Sequence, residues 1–215
     1  MVFQDRAEAG RALADRLADE AAQDPVVLAL PRGGVPVAAE IARRLGAPLD
    51  VLMVRKLGAP GQPELALGAV ARTGESTETV LNDDVIQALG VSEAALERAK
   101  TAELEVIARR EAQYHGQRPR PGLRGRGVIV VDDGVATGAT TRAALRAARK
   151  ADPARLVLAV PVGPPEALAA LEAEADAVVC PQRRADLGAI AMAYADFRQV
   201  PDAEVIRLLD AHGLP

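Results

Sequence analysis

The sequence predicts an α/β protein with a mostly parallel, twisted sheet flanked by helices and an antiparallel hairpin insertion. Three observations predict it. Short continuous apolar runs at 26–30, 128–131 and 156–160 read as strands buried on both faces. Helical patterns separate these runs, and such alternation gives right-handed βαβ crossovers and a parallel sheet. The length of 215 residues fits one domain over 1–215 with room for an insertion, since a domain averages about 150 residues.

The elements follow in order. Ala12, Leu13, Leu17 and Ala21 recur at helical spacing, so an amphipathic helix is expected over about 5–22. Val26–Leu30 is the first strand, broken by Pro31-Arg32-Gly33-Gly34. A helix then runs to Leu45, with Gly46 as its stop. Leu49–Val54 reads as the second strand, and glycines and prolines make 55–64 a mobile loop. Leu65–Arg72 and Thr77–Leu81 form the hairpin across 73–76. Ser92 is an N-cap for a charged helix to about Ala112, and Glu93 in its first turn suits the helix dipole. A loop rich in Arg, Pro and Gly covers 116–127, expected as a solvated connector. Val128–Val131 is the strongest strand. Thr140–Lys150, Pro165–Ala173 and Asp202–Ala211 read as helices, and Arg155–Val160 and Ala177–Cys180 as strands. Cys180, at the end of an apolar strand, is expected in the core.

Composition removes whole classes of function. Aromatics are 2% with no Trp, and the formal charge is −4, which excludes the basic, ring-lined groove of a nucleic-acid binder. A single cysteine excludes an internal disulfide or a Cys-built metal site. His115 and His212 have no metal-ligand spacing. No apolar run approaches the roughly 18 residues of a membrane helix, and no secretory signal is visible, so the expected location is cytoplasmic.

Ligands on such sheets sit outside the carboxyl ends of the strands, which gathers 31–34, 55–64 and 132–141 in one cleft. There Val128–Val131 delivers Asp132 and Asp133, followed by a loop of small and hydroxyl residues and a helix start. Exposed backbone N–H groups and the helix dipole favour a phosphate. Thr137, Thr140 and Thr141 add hydroxyl donors. Two carboxylates beside a phosphate cradle suit a phosphorylated sugar, whose vicinal hydroxyls donate to them. The bland alternative is an ordinary strand–loop–helix turn with solvated acids. No Gly-Lys-Ser/Thr follows the glycines, and Gly134 and Gly138 do not complete G-x-G-x-x-G, so a P-loop and a dinucleotide site are both disfavoured. In the first loop Gly33 and Gly34 permit close backbone approach, and Arg32 offers a forked cation for phosphate oxygens. In the third segment Arg55-Lys56 lie where cations would meet an anionic leaving group.

Residues 128–141 resemble the phosphoribosyl-pyrophosphate signature of the type I phosphoribosyltransferases: four apolar residues, two acids, a short spacer, then Thr137-Gly138-Ala139-Thr140. The resemblance covers roughly 25–200, and the chain is similar to a bacterial group of this family. It implies the type I phosphoribosyltransferase fold, with a flexible loop and hairpin at 57–82, a helical insertion and basic loop at 91–126, and a small C-terminal hood at 181–198. It implies that Asp132 and Asp133 bind the ribose hydroxyls, directly or through Mg²⁺. Ala136, Thr137, Gly138, Ala139, Thr140 and Thr141 would hold the 5-phosphate. Arg32, Gly33, Gly34 and Lys56 would meet the pyrophosphate, in a loop that in this family often carries a non-proline cis peptide. Arg55, Lys56 and Glu64 would act in catalysis, and Arg183, Arg184 and Tyr194 would line the acceptor hood. Ala136 replaces the Asp common in 6-oxopurine members, and no aromatic precedes Tyr194 in the hood.

The activity so implied is Mg²⁺-dependent transfer of phosphoribose from phosphoribosyl pyrophosphate to a small nitrogenous acceptor, by a homodimer. The alternative is a catalytically silent sensor of phosphoribosyl pyrophosphate or a nucleotide, on the same fold.

Overall fold

The computed structural model describes all residues except Met1, Gly61, Gly74, Glu75, Gln117, Leu214 and Pro215, and omits the side chains at 21–23, 62–64, 73 and 76. Helix α1 (Arg6–Ala14) is capped by Asp5, whose carboxylate accepts from the Glu8 amide. The pattern read as one helix to residue 22 tightens after Ala14 into 3₁₀ turns over Asp15–Gln23. Strand β1 (Val26–Ala29), helix α2 (Gly34–Leu45) and strand β2 (Leu49–Val51) follow, with Gly46 at φ 64° ending α2 as expected.

An antiparallel sheet comes next, from β3 (Met53–Ala59), β4 (Gln62–Thr73) and β5 (Ser76–Leu81). Two expectations are corrected here. Leu49–Val54 is not one strand. Buried Leu52 gives its N–H to Ala29 O at the end of β1, and the chain then leaves the parallel sheet. Nor are 55–59 and 62–64 loop: β3 pairs with β4 from Met53↔Arg72 to Ala59↔Gln62, and register shifts around Gly58 absorb the glycine. The hairpin expected over 65–81 is present as β4–β5.

Helix α3 (Asp83–Leu89), not among the elements expected from the sequence, ends at Gly90. Helix α4 (Glu93–His115) starts as expected, Ser92 Oγ accepting from the Ala95 amide. The remaining elements are β6 (Gly127–Val131), α5 (Ala139–Arg149), β7 (Arg155–Ala159), the two-residue β8 (Val162–Gly163), α6 (Pro165–Glu172), β9 (Ala177–Val179), β10 (Gln182–Arg183), a 3₁₀ turn at Ile190–Ala193 and α7 (Asp202–His212).

The main sheet is parallel with order β2-β1-β6-β7-β9. Alternate side chains point to opposite faces of a strand. Thus Val27, Ala29, Ile129 and Val131 pack toward α1, α2, α4 and α7, while Leu28, Val128 and Val130 pack toward α5, α6 and the antiparallel sheet. With so few aromatics the layers close on small residues, such as Ala143, Ala144, Ala147 and Ala148 of α5, all fully buried. The basic connector is not simply solvated. Arg118, Arg120, Arg124 and Arg126 each meet an acid: Asp210, Glu111, Asp152 and Asp24 respectively. Among the described residues no helix is long and apolar enough to cross a membrane.

Candidate active site

The strand order reverses between β1 and β6. The chain steps outward from β1 to β2 and returns on the other side, so the crevice at the carboxyl ends of β1 and β6 is the switch point where open α/β sheets bind ligands. Two of the three anticipated segments meet there. Leu30 gives its N–H to Val131 O at 2.8 Å, which seats the 31–34 loop on the end of β6. A Cβ on Gly33 would fall onto Asp133 Oδ2, and one on Gly34 would lie 2.6 Å from Val131 O. A side chain at Gly34 would meet backbone, and one at Gly33 would have to displace the Asp133 carboxylate. The Pro31–Arg32 peptide is cis.

Arg32 turns toward α7, with its Nη1 3.6 Å from Asp202 Oδ1. Asp202 also accepts from Tyr114 Oη at 2.5 Å and from Gln113 Nε2 at 3.4 Å. The Tyr114 hydrogen bond and the Arg32 charge hold the Asp202 carboxyl below its usual range. Burial and the same carboxylate push the Tyr114 phenol up to about 12.

The acid pair leaves β6 in two different settings. Asp132 is half-buried, and its Oδ1 accepts from the Asp133 amide at 2.8 Å. Burial, then the neighbouring Asp133 charge, raise its pKa well above the ordinary carboxylate value. Asp133 is 8% exposed, and its Oδ2 accepts from Arg6 Nε at 2.8 Å. Burial raises its pKa as well, against the opposing pull of Arg6. The Asp133 backbone carbonyl accepts from Tyr194 Oη at 2.6 Å.

The loop beyond the acids is open. Ala136, Thr137 and Thr140 are exposed, Ala139 is half-buried and Thr141 is buried. Gly138, at φ 80°, opens α5 without a side-chain cap, so the first-turn N–H groups face the crevice as orphan donors. On the hairpin side, Thr137, Ala139 and Arg142 border a cleft of ≈ 610 Å³ shared with β4, β5 and the start of α3.

The third segment stands apart. Arg55 donates through Nε to Glu103 of α4 at 2.7 Å, so the structure turns it toward that helix. Lys56 points to the other face of β3 and is exposed. The Glu64 side chain lies outside the described residues.

The hood forms, with contributions that sequence reasoning missed. β8 and β10 pair in parallel, and the Ile190–Ala193 turn covers Gly134, where a Cβ would lie 2.6 Å from Ile190 Cγ2. The amino-terminal segment joins it. Phe3 bridges to Tyr194 through backbone hydrogen bonds with Ala193 and Ala195. Tyr194, expected to face an acceptor, is corrected: it is 6% exposed and packs between Phe3 and Phe197, at centroid distances of 5.9 and 5.1 Å. Its ring has no free face for a base. Arg183 pairs with Glu172 and Arg184 with Asp186. On β10 the Gln182 side-chain amide is buried, with neither its nitrogen nor its oxygen hydrogen-bonded among the described residues. Among the described residues no three His, Cys, Asp or Glu side chains gather as a metal cluster. A Mg²⁺ shared with a substrate diphosphate needs only one or two carboxylates, so the acid pair fits that demand.

A parallel sheet with an acid pair, an uncapped helix start and a close-packed glycine turn at its switch point places the chain among α/β proteins with a crevice at the carboxyl edge of the sheet. A family model for the phosphoribosyl transferase domain matches residues 3–196, and the chain belongs to that family. Two Mycobacterium tuberculosis proteins, "Putative phosphoribosyl transferase MT0597" and "Putative phosphoribosyl transferase Rv0571c", are each 47% identical over 209 residues. Those alignments cover 97% of this chain and 46% of the relatives, so the chain spans about half the length of the curated relatives it matches. The crystal structure of TT1426 from Thermus thermophilus superposes with a TM-score of 0.83 at 45% identity, covering 99% of this chain and 100% of that one.

Proposed function

We propose that the protein transfers phosphoribose from phosphoribosyl pyrophosphate to a small nitrogenous acceptor, releasing pyrophosphate, as a Mg²⁺-dependent, cytoplasmic homodimer. One observation carries this reading: the half-buried Asp132 leaves β6 packed against the Gly34 turn, and the uncapped start of α5 follows six residues on. A ribose 5-phosphate answers that arrangement, its phosphate on the amides and hydroxyls of 137–141 and its diol on the carboxylates.

The residues' own work is binding, orientation and charge. Thr137, Thr140 and the 139–141 amides fix the 5-phosphate, and with it the anomeric carbon. Asp132 and Asp133 accept from the ribose hydroxyls. Gly33 and Gly34 let the backbone approach the diphosphate, toward which Arg32 exchanges from Asp202 and Lys56 contributes charge. Mg²⁺, held by the acid pair and the diphosphate, supplies charge neutralisation when bound. The acceptor nitrogen attacks the anomeric carbon as the bond to pyrophosphate breaks, with inversion. Since the hood rings are covered, the acceptor is recognised by polar groups, for which Gln182, Arg183 and Arg184 are the candidates. Glu64 stays a candidate for orienting it. Ala136 speaks against hypoxanthine or guanine.

A second reading, a silent sensor of phosphoribosyl pyrophosphate or a nucleotide, has one observation in its favour. Arg32 and Arg55, both expected at the leaving group, are held in internal ion pairs. Calorimetric titration of phosphoribosyl pyrophosphate with and without Mg²⁺, followed by an acceptor screen for pyrophosphate release, separates the two. The enzyme reading expects saturable, Mg²⁺-aided binding and turnover that Lys56→Ala lowers far more than affinity. Binding without release from any acceptor leaves the sensor, and no binding up to millimolar ligand removes both.

A further inference from the structure

We propose that Arg6 is a positioning residue of the site, acting through Asp133; this rests on the phosphoribosyl pyrophosphate reading above. Arg6 sits in the first turn of α1, yet its side chain is 11% exposed. Three contacts fix the guanidinium plane. Nε donates to Asp133 Oδ2 at 2.8 Å, Nη1 donates to Arg198 O at 2.9 Å, and Cζ lies 3.9 Å from the Phe197 ring centroid. A planar fork that stacks and donates in two directions is arginine chemistry, which a lysine ammonium does not reproduce.

The consequence falls on the acid pair. Two adjacent carboxylates with nothing between them would repel and turn freely. Arg6 ties Asp133 Oδ2 to α1, so that carboxylate is held in place with the half-buried Asp132 beside it. The same oxygen occupies the space where a Gly33 Cβ would be, so the fixed carboxylate is also the floor on which the 31–34 loop rests. Both chain ends hold Arg6 in turn. Asp5 caps its helix, and the Tyr194–Phe197 pair lies beneath and beside it, Tyr194 donating to the Asp133 carbonyl. Arg6 thus sets where Asp133, and through it the loop, stand when the ligand arrives.

The test is the affinity of the full chain for phosphoribosyl pyrophosphate with Mg²⁺, by calorimetry, with melting temperature read alongside. Arg6→Gln and Arg6→Lys should each weaken binding about tenfold, and neither should weaken it further in an Asp133→Asn background. The double variant Arg6→Gln/Asp133→Asn leaves no buried charge at this pair and keeps the comparison available where Arg6→Gln alone does not fold. Arg6→Lys with wild-type affinity would show that charge alone matters, and equal losses with and without Asp133 would show that Arg6 does not act through it. Either result overturns the proposal. A wild type that does not bind overturns the reading beneath it, and the wild-type titration alone reports that.

Discussion

The two halves of the crevice are built in opposite ways. On the hood side Asp133 and Tyr194 are buried and Arg6 is largely covered, and each is hydrogen-bonded to a group more than 60 residues away in the chain. On the helix side 136–140 is a short local loop with exposed hydroxyls, an uncapped helix start and no comparable strut among the described residues. Buried polar groups are costly unless paired, so the first half is settled before any ligand comes. Exposed donors cost nothing to leave in water, so the second half can wait for a phosphate. One half works by being rigid and the other by being unsatisfied.

Substitutions should respect that division, and the greatest loss belongs to the seam. Gly33→Ala drives a methyl into Asp133 Oδ2, and should abolish phosphoribosyl pyrophosphate binding and cost about 1–3 kcal/mol in denaturant unfolding. Wild-type stability and binding in that variant would refute the division at its closest contact.

Asp132→Asn should lose most affinity yet raise the melting temperature at neutral pH by about 2–4 °C. The sign follows from linkage. An acid whose pKa is raised on folding holds more protons folded than unfolded, so stability falls as pH rises from its ordinary value of 3.8 toward its folded value. The gain over wild type should therefore shrink as pH falls toward about 4 and be gone below it, and a variant less stable at neutral pH than wild type would contradict the assignment.

Tyr194→Phe removes the hydroxyl from the Asp133 carbonyl and should cost about 1 kcal/mol of stability. Thr137→Ala, on the open half, should shift stability by less than about 0.5 kcal/mol while still weakening ligand binding severalfold. Equal stability losses for these last two would erase the contrast between the halves.

The same contrast explains what was legible before the structure. The 128–141 segment is readable because its chemistry is local: a buried strand, two acids, glycine and hydroxyls in one short stretch, placed by the strand order alone. Gly46, Ser92 and the hairpin were readable for the same reason. Arg6 was not, since an arginine in the first turn of an amphipathic helix looks like solvent-facing charge, and its partner lies 127 residues away. One faint signal existed. Tyr and Phe number two each, and three of these rings, Phe3, Tyr194 and Phe197, sit near the two ends of the chain. β8 and β10 are two residues each, too short for any period to register. The trace of helix α3 is Asn82, two aspartates and the Gly90 stop around a run of seven residues, too short to show a period. Only strand β3 of the antiparallel sheet is not legible in the sequence, because Gly58 and Pro60 suggest a loop, whereas a register shift accommodates Gly58 within the strand pair.

The division between a settled half and a waiting half can be read in one experiment, hydrogen exchange with and without phosphoribosyl pyrophosphate and Mg²⁺. The amides of Phe3, Tyr194, Ala195 and Asp196 should be protected from the start and unchanged by ligand, while 137–141 gain protection on binding. Fast exchange in the two chain-end segments, or protection gained there and not in 137–141, would contradict this account.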